Sequence, residues 1–274
     1  SPPSPPPPSP PPAPPPPSPP PTLIVAKHVL RMSSPLNDSI TNAPYDVTGG
    51  VQLWKLDAPN TPTLRVWTNA SGLCEEGCLN GVAEFSGVSG EAITGTEDVD
   101  IPAEESRTLS LWFYQGESEG VPHDDAGLAG YGTDDDGKSF ELLLFGGSLY
   151  GFFGGACSVQ GPAYTTFEWH HVAVAYSKGE VVDLYYDGVR QSFDYASAVP
   201  CTLNTSTGPL LVGESVTGRD FFGGFISSVG LFEGYLDEAN VHTLMDMVDP
   251  LGFAGHRQGD EPSPPPPPSP PKPP

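Results

Sequence analysis

Short runs of alternating apolar and polar residues recur through the central part of the chain. The run 108–114 (TLSLWFY) places Leu109, Leu111 and Phe113 on one face, the period of two expected of a strand with one face in a core. Similar β-rich runs predict further strands over residues 22–32, 51–56, 64–68, 139–144, 148–153, 171–176, 181–186, 210–213 and 225–232. The pattern predicts an all-β domain of short antiparallel strands, with 22–32 as an edge strand.

Turn-forming and helix-capping residues indicate where the strands are connected and where a helix begins. Gly146-Gly147 and Asp187-Gly188 each follow an alternating run and are typical of two-residue hairpin turns. Residues 33–50 are turn-rich and predict a connection. Residues 238–247 have apolar residues at helical spacing behind Asp237, a good N-cap, and predict one short C-terminal helix.

Both ends of the chain are proline-rich. Residues 1–21 contain 16 prolines, and residues 262–274 contain 10. Because proline fixes φ and lacks an N–H donor, these segments predict stiff polyproline II helices, about 65 and 40 Å long at about 3.1 Å per residue. The sequence therefore divides into a polyproline II segment (1–21), one β-sandwich (22–250), a linker (251–261) and a second polyproline II segment (262–274).

Charge excludes some classes of partner. The chain has 11 basic and 34 acidic residues and a net charge of −23, which repels nucleic acid and anionic membranes. We therefore predict no nucleic-acid partner. No apolar run approaches the length of a membrane span, so we predict none.

Cysteines and glycosylation sequons favour an extracellular location. The four cysteines are interpreted as two disulfides, Cys74 with Cys78 and Cys157 with Cys201; the alternative is a four-cysteine metal site, which would need two close pairs where the sequence has one. The sequons predict N-glycosylation at Asn37, Asn69 and Asn204 in turn-like polar stretches.

The order of the central elements resembles the laminin-G-like branch of the concanavalin A-like jelly rolls. The matching stretches lie within 81–248, and the most specific is Trp169-His170-His171-Val172. The resemblance implies an antiparallel jelly-roll sandwich whose short helix follows the last strand. Residues 22–80 lie outside the match and form either extra strands of the sandwich or an arm used in assembly.

The proline-rich ends resemble hydroxyproline-rich cell-wall and flagellar-surface glycoproteins of green algae and plants. That resemblance implies hydroxylated prolines carrying O-linked sugars. The candidate positions are Pro5, Pro6, Pro7, Pro8, Pro14, Pro15, Pro16, Pro17, Pro264, Pro265 and Pro266.

The sequence argues against catalysis. The jelly-roll superfamily includes glucanases, and retaining glycosidases need two carboxylates about 5 to 5.5 Å apart. On a strand, acidic residues at alternate positions provide this spacing, as in the pattern Glu-x-Asp-x-Glu. The nearest patterns are Asp98 with Asp100 and Asp183 with Asp187, and both lack a third acid. We predict that the protein is not an enzyme. His170 and His171 point to opposite faces of a strand and are interpreted as structural.

No cofactor is predicted. The resemblance places family calcium ligands at positions that here read Phe85-Ser86-Gly87 and Ile226-Ser227-Ser228-Val229, where serines replace the carboxylates. Asp134 and Asp136 are the weaker alternative for Ca²⁺, since their run is better interpreted as a solvated hairpin tip than as a calcium loop.

Two functions follow from these features. The favoured one is a structural extracellular glycoprotein, a fibre subunit that self-assembles with neighbouring copies through its laminin-G-like module. In it, 22–32 is a candidate for strand donation to a neighbour. The alternative is a lectin-like module on proline-rich stalks. Its candidate sugar platforms, all equally interpretable as core, are Trp54, Trp67, Trp112, Trp169, Tyr150, Tyr185 and Tyr186.

Overall fold

A computed structural model describes four strands before residue 81 (25–30, 45–48, 52–55 and 68–69) and then residues 81–116, 125–194 and 202–248. These residues form sixteen strands and one helix. Their bounds are β1 Val25–Leu30, β2 Tyr45–Thr48, β3 Gln52–Lys55, β4 Thr68–Asn69, β5 Gly81–Ser86, β6 Ala92–Asp98, β7 Arg107–Tyr114, β8 Asp125–Gly132, β9 Ser139–Phe145, β10 Ser148–Phe152, β11 Ser158–Ala163, β12 Trp169–Ser177, β13 Val181–Tyr186, β14 Val189–Asp194, β15 Pro209–Val212, β16 Gly223–Glu233 and α1 Glu238–Val248.

Two antiparallel sheets form a sandwich. Sheet I is nine-stranded, in the order β14-β13-β12-β7-β16-β5-β3-β4, with β1 also paired to β16. Sheet II is seven-stranded, in the order β11-β10-β9-β8-β15-β6-β2. The predicted all-β jelly-roll sandwich with one short helix is confirmed.

The core lies between the inner faces of the two sheets. Leu109, Leu111 and Phe113 of β7 are fully buried, as the alternation predicts, and the inward residues of β9 belong to the same cluster. Burying each such side chain contributes about 1.5–3 kcal/mol. The predicted inner face of β7 is therefore confirmed, and alternate residues of β9, β12 and β13 are buried in the same cluster.

Both predicted two-residue hairpins are present. Gly146 and Gly147, with φ of 54° and 78°, join β9 to β10; Asp187 and Gly188, with φ of 49° and 77°, join β13 to β14. Two consecutive positive φ values are the requirement of the turn whose twist matches that of the flanking strands. The sequence signal and the geometry agree at both positions.

Helix α1 covers part of the outer face of sheet I, the face that points away from sheet II. Its Val241 and Leu244 pack with Ala173, Ala175 and Tyr185 in a second apolar cluster. Small residues on β12 leave room for the helix. Among the described residues, no helix combines the length and apolar character needed to cross a membrane.

Asp237 caps this helix, and its Oδ1 accepts a hydrogen bond of 3.0 Å from the backbone N–H of Asn240. Replacing an aspartate cap by alanine leaves that donor unpaired, so Asp237→Ala is expected to lower the free energy of unfolding by about 1 kcal/mol. Urea denaturation measures the change. The exposed Glu238→Ala is the control, and an equal loss in both variants would contradict a specific capping role.

Two of the observed strands differ from the predicted ones. β2 lies inside the segment 33–50 that was predicted to be a connection, and the glycine-rich β8 was not predicted because glycine is depleted in strands. Of the predicted strand 64–68, Thr68 lies in β4 and residues 64–67 lie outside the described residues. β1 to β4 pair within the two sheets, which favours extra strands over an arm. β1 is paired with β16 of its own chain. The strand-donation hypothesis therefore applies only to the edge of β1 that faces away from β16.

Candidate functional site

The outer face of sheet II carries a patch of apolar side chains. Leu143 and Phe145 of β9 and Tyr150 and Phe152 of β10 alternate with core residues and so point away from sheet I. Phe145 is 52% exposed, and its ring packs edge to face against Tyr150 with centroids 5.7 Å apart. We call these four residues the aromatic patch.

Polar groups border the aromatic patch. Gln160 of β11 is the register partner of Tyr150, and its side-chain amide donates a 3.3 Å hydrogen bond to Ser148 Oγ. On the other side, Asp125 of β8 is the register partner of Phe145 and is exposed. A ligand on the patch therefore meets a ring surface flanked by an amide, a hydroxyl and a carboxylate.

The loop 213–222 forms a wall beside the patch, over strand β8. A Cβ atom at Gly127 would lie 2.1 Å from the backbone N of Ser215, so only glycine at this position admits the loop. Inside the loop, Ser215 Oγ donates to Asp220 Oδ2 at 3.0 Å, and Gly218 N–H donates to the Ser215 carbonyl at 2.9 Å. The loop is thus closed by its own hydrogen bonds and rests on a glycine strand.

Glu141 is buried beneath this wall, although it lies on the outer face of β9. Its side chain covers Gly130, and its Oε2 accepts a 2.8 Å hydrogen bond from Val216 N–H, while no described group donates to Oε1. Burial raises the pKa of Glu141 to about 7, against the opposing effect of the Val216 hydrogen bond. Glu141 therefore fastens the loop to the sheet and titrates near neutrality.

Sheet I has a second aromatic surface where the helix does not cover it. Trp169, Tyr114 and Phe225 are register partners on β12, β7 and β16, and the ring centroids of each neighbouring pair are 5.8 Å apart. All three side chains are partly buried. We call them the aromatic row.

The two histidines point to opposite faces, as predicted. His170 Nδ1 lies 2.7 Å from Asp187 Oδ2, and its ring stacks on Tyr186 at 4.7 Å. His171 lies on the outer face, with Nε2 2.8 Å from Ser110 Oγ, and burial lowers its pKa to about 3. A histidine that stays neutral and packed in this way is structural.

Neither carboxylate pair considered for catalysis forms a pair in a cleft. Asp183 is fully buried and bound to Arg190 Nε at 2.7 Å, and the hydroxyl of Tyr235 also donates to it. Asp187 is a turn residue that accepts hydrogen bonds from the His170 ring and the His171 backbone. Asp98 and Asp100 are exposed.

The candidate calcium residues serve the fold. Asp136 Oδ1 accepts a 3.0 Å hydrogen bond from Ala156 N–H, and the Asp134 carbonyl accepts one from Gly155 N–H. The tip of the β8–β9 hairpin is thus tied to the turn that follows β10. Ser227 and Ser228 lie at a bulge of β16, and within the described ranges no three acidic, histidine or cysteine side chains are grouped to hold a metal.

The predicted covalent sites are only partly described. Cys157 is buried and disulfide-bonded. Cys74, Cys78, Cys201, Asn37 and all the candidate prolines lie outside the described residues, so the disulfide pairing and the O-glycosylation stay predictions. Asn204 is partly buried and its backbone N–H donates to Gly137 O, whereas Asn69 lies in strand β4 and not in a turn.

Sequence reasoning missed three residues of this site. Glu141 and Phe145 alternate with core residues, and neither of them was singled out from the sequence. Gly127 is the residue from which this part of the site could have been predicted, because a glycine inside a strand often marks a place where another backbone segment approaches closely. Of the candidate sugar platforms, Trp112 and Tyr185 are buried, Trp169 and Tyr150 are partly exposed, and Tyr186 packs against the core. The side chains of Trp54 and Trp67 lie outside the described part of the chain.

A laminin-G family model, described as the concanavalin A-like lectin/glucanases superfamily, matches residues 86–242. No curated protein sequence is significantly similar to the chain.

Solved structures share the fold at low sequence identity. The ligand binding domain of botulinum neurotoxin serotype D, in complex with N-acetylneuraminic acid, has a TM-score of 0.56 and 15% identity, covering 81% of this chain and 50% of that chain. The binding domain of botulinum neurotoxin serotype G has a TM-score of 0.55 and 12% identity, covering 80% and 50%. This chain thus spans about half of those toxin domains.

A match over nearly the whole of the other chain comes from domain 4 of AbnA, an extracellular arabinanase from Geobacillus stearothermophilus, in complex with arabinotriose. Its TM-score is 0.52 and its identity 17%, covering 81% of this chain and 98% of that chain. At such identities the likeness establishes the fold alone.

Proposed function

Because the chain belongs to the concanavalin A-like lectin/glucanases superfamily, we propose that it binds carbohydrate on the outer face of sheet II. The observation that carries the proposal is the exposed Phe145–Tyr150 pair beside Gln160, Ser148 and the loop 213–222. A sugar ring presents an apolar C–H face and hydroxyls at its edge. The aromatic patch offers a ring surface for that face, and its border offers hydrogen-bonding groups for the hydroxyls.

The comparisons support this ligand class over a purely structural role. Two structures with the same fold contain saccharides, N-acetylneuraminic acid in one and arabinotriose in the other. Asp183 and Asp187 are each bound to basic or ring groups, which supports binding without hydrolysis. We propose a lectin-like module and not a glycosidase.

Phe145→Ala is expected to weaken sugar binding by about tenfold or more, since an aromatic contact contributes about 1 kcal/mol beyond the surface that it buries. A glycan array on the full chain would select the ligand, with arabinotriose and N-acetylneuraminic acid as first probes. Calorimetry on wild type and variant would then give the affinity change.

The matched control is Val189→Ala, which removes another exposed apolar side chain (71% exposed) at a distant hairpin. It is expected to leave sugar affinity unchanged. The proposal fails if the array detects no glycan, or if Phe145→Ala binds the selected glycan as tightly as wild type does.

A second candidate function is a subunit of an extracellular glycosylated fibre, which the two proline-rich segments support. The disulfide at Cys157 supports an oxidising, extracellular location. In this proposal the proline-rich segments act as O-glycosylated spacers of hydroxyproline-rich type, and the sandwich joins them to neighbouring copies or to other extracellular glycans.

A further inference from the structure

The aromatic row is a second aromatic surface, separate from the aromatic patch. Its three rings lie on the outer face of sheet I, whereas the patch lies on the outer face of sheet II. Helix α1 covers the other part of the sheet I face, through Leu244 and its neighbours. The row is therefore the aromatic part of this face that α1 leaves partly exposed.

The backbone beside the aromatic row is strained. Phe167 has φ of 65°, and its backbone N–H donates to the Gln115 carbonyl at 2.8 Å. A bulky residue in this conformation costs about 1–3 kcal/mol, and such residues cluster at binding sites. Its side chain is 54% exposed, and Phe167 lies two positions before Trp169 in the chain.

The chemistry of the row suits a proline-rich segment. Polyproline II segments bind to grooves lined by aromatic rings, because the proline rings pack on the aromatic faces and the segment is already extended before it binds. An acidic residue borders the row, because Glu84 is the register partner of Phe225. An anionic ligand is repelled there, whereas a segment of proline and serine is neutral.

The chain itself contains such a segment in residues 1–21, with 16 prolines and no charged residue. β1 begins at Val25 opposite Glu233 and runs antiparallel to β16, so the chain enters sheet I at the end of β16 far from Phe225. To reach the row of its own copy the chain would have to reverse direction before Val25, whereas the row of a second copy requires no such reversal. We propose that the aromatic row binds the proline-rich segment 1–21 of a second copy of this chain.

The test is the self-association of the full chain, measured by sedimentation velocity over micromolar concentrations. Wild type is expected to associate, and a synthetic peptide of residues 1–21 to dissociate it. In trans, a labelled form of that peptide is expected to bind about tenfold more weakly to Trp169→Ala than to wild type, because aromatic anchors dominate such interfaces.

Two further variants separate this surface from the others. Phe145→Ala, in the aromatic patch, is expected to associate as wild type does. A chain with Pro5–Pro8 and Pro14–Pro17 replaced by serine leaves the sandwich unchanged and is expected to lose association, even if Trp169→Ala were to fold poorly. Both Trp169→Ala and the serine variant are expected to keep sugar binding.

Three results would overturn the proposal: a wild-type chain that stays monomeric and does not bind the peptide, a serine variant that still associates, or a folded Trp169→Ala variant that associates as wild type does. Loss of peptide binding in Phe145→Ala would also overturn it, because the proline-rich segment would then bind the sugar surface. Failure of sugar binding alone leaves this interaction intact, so the two proposals fail separately.

Discussion

Replacing Arg107 by alanine is expected to lower the free energy of unfolding by about 4 kcal/mol. The guanidinium is fully buried and donates to the carbonyls of Pro102, Ala103 and Glu105 and to the hydroxyl of Tyr131. Each buried acceptor left without a donor costs about 1–3 kcal/mol, and the lost side chain also leaves a cavity. Arg107 thus holds the segment before β7 onto the sandwich.

A second substitution separates the stability lost through unpaired hydrogen-bond acceptors from the stability lost through the cavity. Arg107→Met fills much of the volume but supplies no donor, so most of the loss is expected to remain. Arg219→Ala, on the exposed part of the loop 213–222, is the control and is expected to change stability by less than about 0.5 kcal/mol. Urea denaturation of the three variants gives the comparison. A methionine variant as stable as wild type would show that packing, and not hydrogen bonding, gives Arg107 its role.

The inner faces of the sandwich could be predicted from the sequence because one physical rule determines them. Every second residue of a strand lies on the same face of the sheet, and the face that packs into the core must be apolar. Leu109, Phe140, Val172 and Leu184 follow this rule, and all are buried in one cluster. Hairpin turns and the helix cap were equally predictable, since each depends on one or two residues with special conformational or capping properties.

The outer faces could not be predicted in the same way. Whether an outward residue meets solvent depends on which distant segment lies over it, and no local pattern contains that information. Glu141 is buried by a loop about 75 positions later, and Ala173 is buried by helix α1. The signals that remain are indirect: glycines in β8 and alanines in β12 mark places where another segment approaches closely.

The two outer faces explain why the candidate sites were found only in part. Tyr150 belongs to the aromatic patch, yet the sequence does not show that Phe145 packs against its ring. Nor does it show that Tyr114 lies between Trp169 and Phe225 in the aromatic row, because these contacts form across strands. Strand order and register create both surfaces. A sandwich with one face for sugar and another for a proline-rich segment would join two properties of the fibre hypothesis, recognition and assembly, in one module.

The stability of the protein is expected to fall as pH rises from about 4.5 to about 7, through the titration of Glu141. Burial raises its pKa from an ordinary value of 4.5 to about 7, so the folded state holds this proton more tightly than the unfolded state does. The free energy of unfolding contributed by Glu141 is therefore highest below pH 4.5 and is lost as the pH rises through 7. Such a pKa difference corresponds to about 3 kcal/mol.

Glu141→Gln isolates this effect from the other carboxylates of a chain with a net charge of −23. The glutamine retains an oxygen that accepts from Val216 N–H but never ionises, so at pH 8 the variant is expected to be more stable than wild type by about 2 kcal/mol. Near pH 4.5 the difference is expected to vanish, because wild-type Glu141 is then protonated as well. Urea denaturation between pH 4.5 and 8 gives both curves, with the exposed Glu97→Gln as the control whose curve should parallel that of wild type. Parallel curves for wild type and Glu141→Gln would mean that the carboxylate is solvated in solution, and that the loop 213–222 does not close over it.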